Sequence, residues 1–255
     1  MADSARNTKI DLIVVAVLWI VATAITYWWL STTSFQPMGA STSAEISDDS
    51  FDLLLKLSVP VTTFVLIVIG YSVIRFRAAP DDTDDSAPVR SNRLFVGLWI
   101  AITAVLAVYV IINPGFTGLA ALADGRDAEM TIEVTAQQWN WTYRYVEEDL
   151  EIARAEELVL PMDVPIVFVI TSKDVIHSFW IPAFRIKMDA VPGLESRTYT
   201  TATELGDFGG DDGFRVQCAE LCGTGHSNMS TMVSVLSQAD FDAWVEFEKS
   251  EGEHG

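Results

Sequence analysis

The stretch 130–146, "MTIEVTAQQWNWTYRYV", decides the fold. Apolar and polar residues take turns along 130–136 and again in the run 140–146 as far as Tyr145. A period of two belongs to a strand with one buried face. Further short runs, alternating or rich in β-branched residues, fall at 157–160, 166–171, 176–181, 197–203, 214–218 and 231–236, with turn residues between them. Many short strands with no alternating helices predict an antiparallel sandwich or barrel. Ser237 and Asp240 then form a capping pattern for a final helix near 238–249, where Phe241, Trp244, Val245 and Glu248 are spaced helically. That helix is expected on the outside of the barrel.

Toward the N-terminus the character of the chain changes at Asn113-Pro114-Gly115. Before it lie three apolar stretches, 10–30, 53–74 and 94–112, each with at most one charge near its end. Each meets the roughly 20 residues that a helix needs to cross a bilayer. The expected organisation is an apolar segment and linker over 1–50, a transmembrane helical hairpin over 51–113, and an extracytoplasmic domain over 114–255. Arg75, Arg77, Arg90 and Arg93 lie between the second and third stretches, whereas 31–52 holds no Lys or Arg. The 75–93 connection is therefore expected in the cytoplasm, with Arg6 and Lys9 on the same side and the C-terminal domain outside. The first stretch has two readings. A basic start and the small residues Gly39-Ala40-Ser41 suit a cleaved signal peptide; a run longer than the about 7–15 residues of a signal core, closing on Tyr27-Trp28-Trp29, suits a retained transmembrane helix.

The formal charge is −19, and from Pro114 onward 9 basic residues face 25 acidic ones, a net of −16. Such a surface excludes a nucleic-acid partner. The acidic residues are scattered through the loops rather than bunched. We read them as a halophilic adaptation to concentrated salt rather than as a docking patch, because in molar salt the Debye length falls to about 3 Å.

The chemistry is concentrated in "CAELCGTGHSNM", residues 218–229, which holds both cysteines of the chain. Cys218 and Cys222 are four apart, and His226 and Met229 follow. Thiolate, imidazole and thioether together favour copper over hard cations. A second histidine is missing from the loop; His254 sits in an acidic tail, which leaves His177 in "VIHSFWIP". A disulfide would be the default for two extracytoplasmic cysteines, but it does not call for His226 and Met229 at these offsets. Zinc would accept two cysteines and two histidines but has no use for methionine. A single blue copper needs one thiolate, so the second cysteine would be surplus.

The spacing Cys218-x3-Cys222-x3-His226-x2-Met229, with "HSFWIP" at 177–182, "QWNWTY" at 138–143 and "KMDAVPG" at 187–193, resembles subunit II of the haem-copper cytochrome c oxidases. The resemblance covers about residues 45–248. It implies a cupredoxin-like Greek-key barrel carrying a dinuclear copper A centre. Cys218 and Cys222 would bridge two copper ions, His177 and His226 would each cap one, and Met229 and the backbone carbonyl of Glu220 would be weak ligands. The Glu220 side chain would face a magnesium ion shared with oxidase subunit I. Trp139 would be the surface residue at which a cytochrome c or a blue-copper protein delivers its electron, on its way to haem in subunit I and to oxygen. Alternation puts Trp139 on one face with Trp141 and Tyr143, so a half-buried strand aromatic is its other reading. Lys187 and Asp189 match the family's contact loop with subunit I. The chain departs from the family at "VRSNRLFVGLW", 89–99, where Ser91, Asn92 and Arg93 supply no carboxylate before the third apolar stretch. A copper A subunit of a nitric oxide reductase shares the motif. A copper chaperone of the thioredoxin-like type also carries Cys-x3-Cys and a distant histidine, but should alternate strands with helices.

Overall fold

A computed structural model describes residues 2–33, 36–77, 91–123 and 127–252; Arg90 and His254 lie outside them. Three helices open the chain: α1 (Ala2–Thr32), α2 (Thr42–Arg75) and α3 (Arg93–Val110). Each contains a window long and apolar enough to cross a membrane. Asn92 starts α3 as its N-cap, its side-chain oxygen accepting from the amides of Leu94 and Phe95 at 3.1 and 3.2 Å. The carboxylate-free "SNR" therefore has a local task. At the far end Asn113 leaves helical geometry (φ −134°, ψ 112°) ahead of Pro114, as the residue before a proline tends to do. A short α4 (Thr117–Ala123) follows.

The described chain divides into two compact units, one holding the apolar helices up to Asn113 and the other holding the chain from Pro114 together with Gln36–Asp49. Residues 36–49, which fall in the expected linker, belong with the second unit.

That unit is built of eleven strands: β1 (Met130–Gln137), β2 (Asn140–Tyr145), β3 (Leu150–Ile152), β4 (Glu157–Pro161), β5 (Pro165–Ser172), β6 (His177–Ile181), β7 (Ile186–Ala190), β8 (Ser196–Thr201), β9 (Gly206–Asp207), β10 (Arg215–Cys218) and β11 (Ser230–Leu236). One sheet runs β3-β2-β1-β5-β8; the other runs β4-β11-β10-β6-β7, with β9 on β11. All eight expected strands are present, and β3, β7 and β9 are additional. The pairing is mixed rather than antiparallel throughout. β1 runs parallel to β5, and β4 parallel to β11, because the chain crosses to the second sheet after β3 and returns before β5.

The alternation at 130–146 sets the core. Ile132, Val134, Ala136, Trp141, Tyr143 and Tyr145 are all fully buried. Two buried phenols tie the sheets together: Tyr143 Oη lies 2.7 Å from Thr231 Oγ1, and Tyr145 Oη donates to the Val159 carbonyl at 3.0 Å. With partners for both hydroxyls, their burial carries no orphaned polar group. At the C-terminus α5 (Gln238–Gly252) begins where Ser237 Oγ accepts from the Asp240 amide at 3.3 Å. It lies against β3, β4 and β11. The Phe241 ring packs tilted and the Trp244 ring edge-on against Tyr145, with centroids 6.2 and 5.3 Å away.

The segment 36–49 clasps the β-unit. Ala40 donates to the Ala183 carbonyl at 2.9 Å and accepts from the Thr203 amide at 3.0 Å. Ser41 Oγ donates to the Phe184 carbonyl at 3.0 Å, and Ala40 and Ser41 are fully buried. Arg185, held in the left-handed region at φ 54°, grips Asp48 with two nitrogens at 2.9 and 3.0 Å and donates to the Pro37 carbonyl at 2.7 Å.

Candidate metal centre

Three neighbouring strands of the second sheet deliver the donors. His177 opens β6, Cys218 closes β10, and Met229 stands just before β11. The base of the loop is zipped by the Cys218 amide donating to the Met229 carbonyl and the Ala219 amide to the Ser178 carbonyl, both at 3.0 Å. A turn of 3-10 helix at His226–Asn228 then swings His226 back over the cysteines. Gly223 makes the turn possible at φ 116°, a region closed to most side chains.

The expected donors meet. Cys218 Sγ and Cys222 Sγ are 3.7 Å apart and both thiols are free. His177 Nδ1 lies 3.9 Å from Cys218 Sγ, and His226 Nδ1 lies 3.7 Å from Cys222 Sγ. Met229 Sδ is 3.9 Å from Cys222 Sγ, and the Glu220 carbonyl is 3.2 Å from Cys218 Sγ. His177, Cys218 and Cys222 are buried and form a group able to hold a metal ion. Ligands at 2.0–2.3 Å from a tetrahedral ion stand about 3.3–3.8 Å apart, and the donors here lie within about 0.1 Å of that range. The thiols are too far apart for a disulfide, whose sulfurs bond at about 2.05 Å. Burial, reinforced by the neighbouring Cys218 thiol, pushes Cys222 up to about 12, so metal binding must expel its proton.

Two supporting residues escaped the sequence reading. Asp174 Oδ1 lies 2.9 Å from His177 Nε2, which leaves Nδ1 facing the thiols. Burial pushes the Asp174 carboxyl up, but the Gln138 amide, the His177 ring and the Val175 amide outweigh it and hold it at about 2. Gln138 is the other. Its backbone amide donates to Asp174 Oδ2 at 2.8 Å, and its side chain donates to the Cys222 carbonyl at 2.7 Å. It joins the two ligand-bearing segments. The spacing Asp-x2-His was the one available signal, and a carboxylate behind a metal-facing imidazole is a common arrangement.

Trp139 is 40% exposed, yet its Nε1 donates to the same Cys222 carbonyl at 3.2 Å. Its ring lies flat on the loop: a Cβ on Gly225 would come within 2.4 Å of it. Trp141 and Tyr143, by contrast, are core. The Trp141 ring packs 6.3 Å from that of His177 and 5.7 Å from that of Phe179, which seals the inner side of the cluster. Glu220 and Leu221 point outward, exposed. Lys187 and Asp189 are exposed on β7.

Residues 149–236 match the model of the cytochrome c oxidase subunit II periplasmic domain. A probable cytochrome c oxidase subunit 2 of Rickettsia bellii is 31% identical over 83% of this chain and 82% of its own length. The chain belongs to the cytochrome c oxidase subunit II family. Another member, cytochrome c oxidase subunit 2 of Thermostichus vulcanus, is 27% identical over 88% of this chain and 82% of its own. The solved periplasmic domain of subunit II of cytochrome oxidase from Bradyrhizobium japonicum is 33% identical, covering 49% of this chain and 96% of that one at a TM-score of 0.45. The apolar helices followed by a β-sheet domain are those of a subunit II, with helices suited to membrane anchoring and a domain of the periplasmic kind.

Proposed function

We propose that this subunit II is the component of a haem-copper oxidase through which electrons enter, holding a dinuclear copper A centre on Cys218, Cys222, His177, His226, Met229 and the Glu220 carbonyl. The convergence of these donors around two free thiols 3.7 Å apart carries the reading. The chain's residues divide the work. Asp174 fixes the His177 ring, Gln138 holds the Cys222 carbonyl, and the Trp141 and Phe179 rings exclude water from the inner side. Ligands held this firmly need little rearrangement when the charge of the centre changes. Copper, when bound, supplies the one-electron carrier.

Trp139 is the point of arrival for an electron from a soluble donor, a cytochrome c or a blue-copper protein. From its exposed ring the route to the centre is one hydrogen bond and the backbone and side chain of Cys222. The electron passes on to haem in the partner subunit I, where oxygen is reduced to water. Glu220, carbonyl inward and carboxylate outward, suits a magnesium ion shared with that subunit, since a carboxylate is a hard-cation ligand. The four arginines of the 75–93 connection favour the cytoplasmic side for it and the outer side of the membrane for the β-domain.

The full chain purified in detergent is expected to bind two copper ions, with a mixed-valence electron-spin signal. A ratio near one, or an ordinary mononuclear copper spectrum, contradicts the reading, and Cys222→Ser should reduce the site to one ion or none. Trp139→Gln should slow reduction by the donor at least tenfold while leaving that spectrum unchanged, since the indole bears no ligand; an unchanged rate places the arrival point elsewhere. The scattered negative charge is the surface of a protein working in concentrated salt. Its thermal midpoint is then expected to rise between low and molar salt, and a flat response argues against that adaptation.

A further inference from the structure

Proline at position 60 breaks the hydrogen-bond ladder of α2, because it has no amide proton to give the Lys56 carbonyl. Near the membrane border such a carbonyl is left without its helical donor and needs one from water or from a neighbouring helix. The first helix supplies the missing donor. Tyr27 Oη donates to the Lys56 carbonyl at 2.5 Å, and Trp19 Nε1 donates to the Pro60 carbonyl at 2.8 Å. Between them Thr23 Oγ1 meets Thr63 Oγ1 at 2.7 Å. Toward the other end Asp11 accepts from Tyr71 Oη at 2.6 Å and from Arg75 Nε at 3.2 Å. The Trp19 ring also sets its edge on Phe64 at 5.5 Å.

These contacts form one pattern. Positions 11, 19, 23 and 27 differ by multiples of four, so they lie along a single ridge of α1. Apolar surface does not drive helices together in lipid; close packing and interhelical hydrogen bonds do. A signal core needs only to be apolar, and nothing in export calls for a polar stripe matched to a later helix.

A separate observation removes the other support for cleavage. The small residues Gly39-Ala40-Ser41 are small because the clasp needs them so: Ala40 and Ser41 are fully buried, and a Cβ on Gly39 would stand 3.2 Å from Asp48 Oδ2 and 3.3 Å from the Ala44 Cβ.

We propose that α1 is a permanent third membrane crossing, docked on the Pro60 notch of α2, and not a leader removed on export. The described helices of the mature subunit then cross the membrane three times.

The test is the intact mass of the full chain, expressed with a C-terminal tag and purified from membranes. A mass that includes residues 2–33 is expected. A chain beginning beyond about residue 33 overturns the proposal, even where the excised segment co-purifies. The notch itself is tested by a variant pair. Tyr27→Phe should shorten the half-life of the folded chain in detergent by about threefold, the size of an average interhelical hydrogen bond in lipid. In a Pro60→Ala background, where residue 60 donates to Lys56 itself, Tyr27→Phe should have no effect. Equal losses in both backgrounds show that Tyr27 does not serve the notch.

Discussion

Asp174 touches no expected metal position, yet it decides which nitrogen of His177 faces the thiols. Asp174→Asn keeps the size of the side chain but can no longer hold the ring with a charged acceptor. Partners of this kind behind a metal ligand are typically worth 10–100-fold in affinity, so the variant should lose copper to a competing chelator at about 10–100-fold lower chelator strength. An unchanged competition curve means that the backbone alone orients His177. At this scale the sequence was informative wherever residue chemistry is specific. Two thiols, two imidazoles and a thioether have few joint uses, and all were legible. Gln138 was not, because an amide that happens to reach a carbonyl 84 positions away leaves no local trace.

Among the elements, legibility followed burial pattern. Strands with one buried face alternate, and β1 and β2 did so plainly; β9, two residues long, has too few positions to show any period. The direction of pairing was hidden for another reason. Periodicity reports which face is buried and says nothing of where the chain goes between strands, so the parallel β1–β5 and β4–β11 pairs could not be anticipated. The final helix was readable from its cap and its apolar spacing. Its hold on the barrel rests largely on Phe241, fully buried against Tyr145 and Trp244. Phe241→Ala leaves a cavity there and should cost about 3–5 kcal/mol, read as a lower denaturation midpoint with the copper spectrum of the folded fraction intact. A loss below about 1 kcal/mol would mean that the helix collapses onto the gap.

For the whole molecule, the unit that holds the strands takes in residues 36–49 as well as the chain from Pro114. A soluble fragment spanning 114–255 lacks the clasp, exposing the backbone groups of Ala183 and Thr203 and leaving Arg185 without Asp48. One carrying residues 36–49 joined by a flexible linker should be more stable by several kcal/mol, at about 1 kcal/mol for each restored hydrogen bond. Equal melting temperatures would show the clasp to be dispensable.

The clasp also fixes an order of events. Residues 36–49 are made before α3 and before every strand, while the Phe184 carbonyl that receives Ser41 lies 143 positions further on. In covalent terms the hairpin is an insertion within the β-unit, which lies on both sides of it. Until translation has passed the hairpin, its first piece has no scaffold. Closing so long a loop is slow, since its entropy is lost before the contacts form. The barrel, and with it the loop that gathers the metal donors, is completed only after the membrane crossings exist. Any metal held by His177, Cys218 and Cys222 would then be taken up only after that closure, and a chain stalled before it offers two thiols with no formed site around them.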